Sequence, residues 1–442
     1  MYQKKLLWLL CATIVTCQPV FAQNAANIKL DGKPLTAVAV ASAKPKGFTL
    51  DDAIAKALAQ SPRLKAFNSG VAAAKGEQRQ AGAWQNPEIS YTNENFGGGA
   101  AYKAISPQQN SFGVTQLIEV GGKISARENI AGKGVEIASL DEQAAKLDII
   151  REVTTAYADA VAAEENVRLA SEQKDLAEDV LKSVSIRVAA AAAPLIQKSR
   201  AEVERSTATI ALDTAMRERE ITQKNLATLL GEERVMFTLD SRAFYVVTKP
   251  DIAGIEEKLK VNPNLVKLGA LTEQSKARLD LEKANAIPDP RFTVGMIDIP
   301  SARDRAFMVG VSLPIPVFNA NRGNIEKARN EVSRTEFENH NAVLTINADL
   351  TRAQQQMENA YLRAETLKHE VLPSAEKAFT LARHGYELGR FPYLEVLDAQ
   401  RSLFTVKQQQ ITALKEYHAA RAMLERLSAI HAARIDIKGE SK

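Results

Sequence analysis

The sequence Asn86-Pro87-Glu88-Ile89-Ser90-Tyr91 returns about 200 residues later as Asp289-Pro290-Arg291-Phe292-Thr293-Val294. A second short alternating segment follows each copy, at residues 111–117 in the first half and 307–313 in the second. Prolines extend the match, because Ser61-Pro62 answers Asn262-Pro263 and Pro194 answers Pro392. Internal repeats set the architecture of a chain, so we predict one body built from two similar halves.

The N-terminus is typical of an exported protein. Lys4 and Lys5 precede an apolar run at residues 6–17, and Val20-Phe21-Ala22 provides a small-residue exit. We predict a secretory signal peptide over residues 1–22. A membrane anchor is the alternative, but this run is shorter than the ~20 apolar residues that a spanning helix needs.

Both cysteines, Cys11 and Cys17, fall inside that segment, so cleavage after Ala22 leaves a chain without thiols. Lipid attachment at Cys17 stays open as an alternative. The formal net charge is +4, from 57 basic and 53 acidic residues, and it falls to about +2 without Lys4 and Lys5. The chain therefore lacks the excess of basic residues that would indicate nucleic acid as a partner. Residues 23–47 are predicted to form an extended N-terminal tail.

Two proline-free runs predict unusually long helices. Residues 124–187 would span about 95 Å as one helix, and residues 324–372 about 75 Å. In the first run, apolar side chains recur every three or four positions, with one polar interruption at Glu164: Leu147, Ile150, Val153, Tyr157, Val161 and Val167. Abundant alanine suits closely packed, coiled-coil-like pairs. A soluble coiled-coil rod fits the helices alone.

The short segments exclude a simple rod. In the second copy Phe292, Val294 and Met296 alternate with small or polar residues, and residues 307–313 repeat the pattern. Such alternation is typical of transmembrane β-strands. Four strands cannot close a barrel, since the smallest outer-membrane barrels have eight, but three copies would supply twelve. Strands of a soluble sandwich are the alternative, and they leave the long helices unexplained.

Taken together, these features resemble the TolC-like outer-membrane efflux family over nearly the whole chain after residue 22. Residues 48–54 (Phe-Thr-Leu-Asp-Asp-Ala-Ile) resemble the start of the first helix of that family, and Trp84-Gln85-Asn86-Pro87 its entry into the first strand. Three further segments are similar to the cobalt-zinc-cadmium heavy-metal branch: residues 117–123, Arg187-Val188 followed by Pro194, and residues 313–319 followed by 322–325.

The resemblance implies a mixed α/β membrane protein, with a long coiled-coil-like α-helical barrel and a transmembrane β-barrel shared between three subunits. The first repeat would cover residues 48–240, with strands near 86–96 and 111–120. A linker at 241–260 would lead to the second repeat at 261–432, with strands near 290–298 and 306–314, and a C-terminal tail at 433–442. Each chain would contribute two structural repeats and four strands.

The implied function is the outer-membrane channel of a tripartite efflux system that exports divalent heavy-metal cations. The implied partners are two further copies in a homotrimer, outer-membrane lipid, a periplasmic membrane-fusion adaptor and a proton-driven inner-membrane pump of the resistance-nodulation-division type. A duct for drugs or secreted peptides is the alternative within the family. A periplasmic structural coiled-coil protein without a pore is the alternative of another class.

Residues 385–399 resemble the turn and returning helix at the periplasmic tip of the family. Glu395 and Asp398 are three apart, so a helix presents both carboxylates on nearly one face, and three copies would form acidic rings at a pore constriction. The alternative is a solvated acidic face with Arg401 as local partner. Tyr386 is a further constriction residue that would latch the closed tip to a neighbouring helix, or would be an ordinary buried turn tyrosine.

The adaptor-docking candidates come from both tips: Arg187, Val188, Pro194, Gly385, Gly389 and Pro392. The first tip departs from the second, because Val188 and Ala191 stand where the second has Tyr386 and Gly389. Loss of the glycine predicts a less permissive turn and a longer helix there.

No catalytic, cofactor or tight metal site is predicted. The five histidines are scattered, and each is interpreted as a lone surface residue: His340, His369, His384, His418 and His431. Gly121-Gly122-Lys123 lacks the glycine spacing of a phosphate-binding loop. We therefore expect a conduit and no enzyme.

Overall fold

The computed structural model describes residues 47–97, 99, 101, 105–233, 238–250 and 254–431. The predicted signal peptide at 1–22, the predicted tail up to residue 46 and the predicted C-terminal tail at 433–442 lie outside these ranges.

Long helices and four short strands follow one another in the same order in both halves. The helices are α1 Leu50–Gln60, α2 Pro62–Ala81, α3 Lys123–Ala189, α4 Leu195–Leu229, α5 Ile255–Leu259, α6 Pro263–Asn285, α7 Arg322–Thr366, α8 Leu372–Glu387 and α9 Tyr393–Leu427. The strands are β1 Glu88–Glu94, β2 Gln109–Leu117, β3 Arg291–Ile299 and β4 Asp304–Ser312.

The first half begins where its sequence motif predicts a helix. The Asp52 N–H donates to Thr49 Oγ1 (3.2 Å), and the Thr49 N–H donates to Asp52 Oδ2 (3.1 Å). This reciprocal pair is a capping box, which satisfies two backbone donors at the start of α1. The motif Trp84-Gln85-Asn86-Pro87 likewise ends immediately before β1.

Helix α3 contains 67 residues, so it is about 100 Å long. It forms without interruption across the proline-free run that predicted it. The apolar stripe predicted from spacing is buried from Leu147 to Val161, and Tyr157 is only 6% exposed. Helices α1, α2, α4, α6 and α9 all contact α3, which makes it the central element of the chain.

The second long run is helical but not uniform. Helix α7 ends at Thr366, a single π-helical turn covers Leu367–Val371, and α8 continues through Pro373. In this turn the Leu372 N–H bonds to the carbonyl of Leu367, five residues back. Proline breaks an ordinary helix by removing an N–H and by crowding the carbonyl four residues earlier. Because the π turn widens the helix just before Pro373, the rod continues to Glu387.

The four strands form one antiparallel sheet in the order β1-β2-β3-β4. The central pair joins the two halves, with Phe112 opposite Met296 and Val114 opposite Val294. The hydroxyls of Thr115 and Thr293 meet across this pair, with 3.0 Å between their oxygens.

One face of this sheet is apolar and exposed. Cross-strand register places its members on the same side: Ile89, Tyr91, Phe112, Val114, Phe292, Val294, Met296, Phe307, Val309 and Val311. Phe307 and Val309 are 86% and 77% exposed. The opposite face carries mostly small or polar residues, with Gly113 paired to Gly295, although Ile297 and Met308 also lie on it. The alternation predicted from sequence is therefore present, with its apolar face uncovered by the described part of this chain.

The segment predicted as a linker, residues 241–260, packs against the helices. It contains the 3₁₀ turn Arg242–Tyr245 and the short helix α5. Phe244 is 3% exposed and Ile255 is 1% exposed, so apolar side chains fix the segment to the helical body.

Tyr157 joins this segment to the start of the first half. Its hydroxyl contacts the carbonyls of Phe48 (2.7 Å) and Asp240 (3.0 Å). Burial raises the pKa of the Tyr157 phenol to about 12. A buried polar group is stable only when it is hydrogen-bonded, and here two chain segments provide acceptors.

None of the described helices combines the length and the apolar composition that crossing a lipid bilayer requires.

Candidate functional site

The long helices of both halves end in two equivalent turns. In the second half, the N–H groups of Gly389 and Arg390 bond to the carbonyls of Tyr386 (3.0 Å) and Gly385 (2.8 Å). In the first half, Ala191 and Ala192 make the same bonds to Val188 (3.0 Å) and Arg187 (2.8 Å). This pattern is a Schellman motif, which ends a helix by placing one residue in the left-handed conformation.

That residue is Gly389 in the second turn, with φ of +73°, and Ala191 in the first, with φ of +54°. The predicted lengthening of the first helix is therefore wrong: α3 ends at Ala189 in the same motif, and Ala191 adopts the unfavourable conformation. The following prolines separate each turn from the next helix, because Pro194 and Pro392 both stand in extended conformation immediately before α4 and α9. A proline disfavours helical conformation in the residue before it.

The two turns lie side by side. Val184 of α3, Ala201 of α4, and Tyr393 and Leu397 of α9 form one buried cluster, and Val188 packs against it. All six docking candidates predicted from sequence belong to these two turns. Gly385 is required by close packing, because a side chain there would begin 2.2 Å from the Phe391 ring.

Tyr386 packs between the two turns. Arg187 places its guanidinium carbon 4.4 Å from the Tyr386 ring centroid, a cation–π contact, and the Tyr393 ring lies 5.9 Å away. The Tyr386 hydroxyl is buried and has no hydrogen-bond partner among the described residues. Both interpretations of Tyr386, a latch to a neighbouring helix and an ordinary buried turn tyrosine, stay predictions.

Glu395 and Asp398 are both exposed on the first two turns of α9. Arg401, the local partner in the alternative interpretation, donates to Glu204 of α4 at 2.8 Å. This hydrogen bond raises the pKa of the Arg401 guanidinium. Within the described chain no hydrogen bond or ion pair engages the Glu395 or Asp398 side chains, although the Asp398 charge also stabilises the Arg401 cation.

The sequence alone does not identify Glu204 and Tyr393. Glu204 is 7% exposed and lies between the buried residues Ala201 and Ala208 at helical spacing. A charged residue that replaces alanine in such a stripe predicts an ion pair with another helix, because a buried charge needs a partner. Burial, reinforced by the nearby Glu204 charge, raises the pKa of the Tyr393 phenol.

Two histidines, His418 and His431, differ from their prediction as lone surface residues. His418 stacks on Phe244 with 5.4 Å between ring centroids, and its Nε2 lies 2.9 Å from the Phe244 carbonyl oxygen. Burial lowers the pKa of this imidazole. His431, whose side chain is 17% exposed, places its Nε2 3.1 Å from the Glu425 carboxylate. Across the described ranges, no three histidine or acidic side chains are grouped as metal ligands.

Known proteins share this arrangement. The model of the outer membrane efflux protein family matches residues 53–232 and 254–429. The chain belongs to the outer membrane efflux protein family. Its location is therefore the outer membrane, and the exposed apolar face of the sheet agrees with a lipid environment.

Relatives within this family carry names from heavy-metal resistance. The chain is 27% identical to the cobalt-zinc-cadmium resistance protein CzcC of Cupriavidus metallidurans, over 86% of this chain and 90% of the relative. It is 26% identical to the nickel-cobalt-cadmium resistance protein NccC of Alcaligenes xylosoxydans xylosoxydans, over 66% of both chains.

Solved structures agree with the fold of this efflux protein. The crystal structure of CusC, described as forming a transmembrane channel, superimposes with a TM-score of 0.75 at 16% identity. The match covers 86% of this chain and 91% of that one. The resemblance to the TolC-like family that the sequence indicated is confirmed, and so is its heavy-metal branch.

Proposed function

We propose that three copies of this chain form an outer-membrane exit duct of a tripartite efflux system, and that its cargo is divalent heavy-metal cations. The repeats at 48–240 and 261–432 would each supply one sixth of the wall. The chain would be a conduit without a catalytic step or cofactor. Energy would come from a proton-driven inner-membrane pump of the resistance-nodulation-division type, through a periplasmic adaptor.

The sheet carries the proposal of a shared barrel. Its apolar face is exposed, and within the described chain β1 and β4 each pair on one side only. An open sheet edge in lipid leaves backbone groups unsatisfied, at a cost of several kcal/mol each. A second and a third copy would pair these edges and give twelve strands, an even number within the range of outer-membrane barrels.

Exposed apolar residues on the helices also support the assembly of three copies into a closed ring. Helix α4 contacts α3, and its outer face exposes Ile196, Val203 and Ile210 at intervals of seven residues. Helix α7 lies elsewhere in the body, against α6 and α9, and exposes Phe337 and Leu344 at the same interval. A seven-residue apolar repeat is typical of a coiled-coil seam. Two such stripes on different helices favour a head-to-tail contact, which closes into a ring.

The two turns are the proposed docking surface for the adaptor. The candidates Arg187, Val188, Pro194, Gly385, Gly389 and Pro392 shape an end whose apolar side chains are exposed: Ile186, Leu195, Leu388, Phe391 and Leu394. Exposed apolar patches that are rimmed by polar residues often mark sites where another protein binds. This surface would place the adaptor at the end of the helices far from the sheet.

The cargo proposal rests on the names of the relatives and on the acidic pair. Three copies would place six carboxylates, from Glu395 and Asp398, around one axis near the tip. Rings of carboxylates attract cations and repel anions without binding them tightly. This suits a duct that must release what enters it. Tyr386 would narrow the same constriction.

The test is growth of a deletion strain on zinc, cobalt, cadmium, copper, silver and several antibiotics, with complementation by the gene. Sensitivity to particular divalent metals would support the cargo and name the ion. Sensitivity to antibiotics alone would leave the duct standing and move the function to drugs, the alternative within the family. The family assignment argues against the pore-free coiled-coil protein.

Assembly needs its own measurement. We expect extraction from outer membranes only with detergent, and a protein mass of about three chains by native mass spectrometry or light scattering. A monomer in the soluble periplasmic fraction would contradict the duct.

A further inference from the structure

One of the contacts between the two halves, called the seam here, has a specific chemistry. After β2, the connector at residues 118–122 crosses onto the second half just before β3. The Ile118 N–H donates to the Pro290 carbonyl (3.0 Å), and Gly121 lies directly against Ile287. Lys123, 6% exposed, bonds to the Asp289 carboxylate (2.7 Å) and the Ile287 carbonyl (2.6 Å).

We call the residues that receive this connector, 287–290, its seat. The second half has the same connector, but the described chain offers no seat for it. Strand register aligns Gly113-Val114-Thr115 with Gly310-Val311-Ser312, so Ile118 corresponds to Ile315. Within this connector, at residues 313–318, the apolar side chains are strongly exposed: Leu313 54%, Ile315 79%, Val317 71% and Phe318 102%. Exposing this much apolar surface to water is unfavourable, and burying it is favourable.

The first half has residues equivalent to this seat, but no connector of the described chain packs on them. The alignment of Asn86-Pro87 with Asp289-Pro290 makes Trp84 the counterpart of Ile287. Trp84 is 64% exposed. The molecule therefore presents an unfilled apolar seat on its first half and an unseated apolar connector on its second.

We infer that the connector at 313–318 of one copy occupies the seat at Trp84–Pro87 of the next copy, with Phe318 packed on Trp84. This inference rests on the proposed trimer and specifies its contacts. The backbone of Ile315 would bond to the Pro87 carbonyl of the next copy, as Ile118 does to Pro290 within the chain. Arg322, which begins α7 as Lys123 begins α3, would face Asn86.

The same correspondence fixes the register between copies. Thr115 faces Thr293 within the chain, and their counterparts are Ser312 and Ser90. Both are again hydroxyl residues, and both lie on the exposed outer strands β4 and β1. Ser312 of one copy therefore faces Ser90 of the next.

Disulfide trapping of Ser312→Cys with Ser90→Cys tests this register. Within one chain, β1 and β4 are three strand spacings apart, about 14 Å. A disulfide requires Cα atoms within about 7 Å, so any bond must join two chains. We expect covalent dimers and trimers on non-reducing gels after mild oxidation. The matched control is Val311→Cys with Ser90→Cys, since a slip of one residue turns the side chain to the other face. Each single variant controls for Cys11 and Cys17.

The outcomes separate this seam from the duct itself. Trapping by the Ser312 pair and not by the Val311 pair supports the inference. A trimer by native mass in which the Ser312 pair stays reduced, or in which the Val311 pair is trapped instead, overturns the seam and leaves the duct standing. A monomeric protein contradicts both.

The seat is tested by trimer dissociation in detergent. Phe318→Ala and Trp84→Ala should each raise the dissociation constant at least ~10-fold, because each removes a large apolar contact. The double variant should lose less than the sum of the two, as contacting residues do. Phe96→Ala, which removes another exposed ring outside the seam, should leave dissociation unchanged. Equal effects at Phe96 and Phe318, or additive effects of the pair, would overturn the contact.

Discussion

Ala191 and Gly389 occupy the same position in two equivalent helix ends, and both adopt left-handed backbone conformation, with φ of +54° and +73°. Glycine tolerates this conformation at no steric cost, whereas alanine loses roughly 1–2 kcal/mol there. The first turn therefore retains the geometry of the second at the expense of local stability.

Ala191→Gly should raise the free energy of unfolding by about 0.5–1 kcal/mol, and Gly389→Ala should lower it by about 1 kcal/mol. The measurement is unfolding in detergent followed by circular dichroism at one fixed scan rate. Ala192→Gly is the matched control, because Ala192 lacks positive φ, and it should give no gain. Equal effects at positions 191 and 192 would show that the backbone at Ala191 is not strained.

The repeat explains how much of this fold is readable from sequence. Period-two alternation, proline-free runs and the copied Asn-Pro and Asp-Pro motifs predict the four strands and the long helices. The continuation of the rod from α7 into α8 past Pro373 cannot be predicted in this way, because it depends on a π turn whose hydrogen bonds leave no pattern in the sequence.

Only part of the candidate site can be predicted from the sequence. Proline and glycine positions locate both turns, but the pairing of Arg401 with Glu204 depends on which helices become neighbours. These two residues are 197 positions apart. Local spacing identifies Arg401 as a neighbour of Asp398, whose charge does act on it, but cannot predict its hydrogen bond to Glu204.

Arg401→Ala should lower the free energy of unfolding by about 1–2 kcal/mol. The substitution leaves the Glu204 carboxylate, whose side chain is 9% exposed, without its cation. The figure lies below that for a fully buried pair because the Arg401 side chain is 55% exposed. Denaturant or thermal unfolding in detergent measures the loss.

The matched double variant Arg401→Ala with Glu204→Gln should recover most of that stability, because the orphaned charge is removed as well. Arg363→Ala, which breaks the exposed pair with Glu416, should cost less than about 0.5 kcal/mol. A double variant as unstable as Arg401→Ala alone would mean that lost packing, and not an unpaired charge, causes the effect.

Stability should fall at alkaline pH because of Tyr157. Its pKa in the folded protein is about 12, above the ordinary value near 10. The unfolded chain thus releases this proton first, and folding loses stability between about pH 10 and pH 12 while remaining unaffected below pH 10. Unfolding midpoints measured across this range should decline with a component that Tyr157→Phe abolishes.

At neutral pH Tyr157→Phe should itself cost about 1–2 kcal/mol, because it removes bonds to the Phe48 and Asp240 carbonyls. Tyr361→Phe serves as the control for a tyrosine without such bonds and should retain the alkaline decline. An unchanged decline in Tyr157→Phe would assign the effect to other groups.

Neutralising Glu395 and Asp398 should weaken the block of single-channel current by multivalent cations. The two side chains are exposed and unpaired within the described chain, so three copies would concentrate six negative charges around the pore axis. At about 1 kcal/mol per nearby charge in a solvated site, we expect the blocking concentration to rise at least tenfold in the double variant Glu395→Gln with Asp398→Asn.

Planar bilayers with the purified protein provide the measurement, with cobalt or zinc added on the side of the helices. Each single variant should show an intermediate shift, and raising the salt concentration should reduce the difference from the unchanged protein through screening. Glu416→Gln, on the same helix and paired to Arg363, is the matched control and should block normally. If the double variant blocks like the unchanged protein, the constriction lies elsewhere along the helices and the acidic pair is only a solvated face.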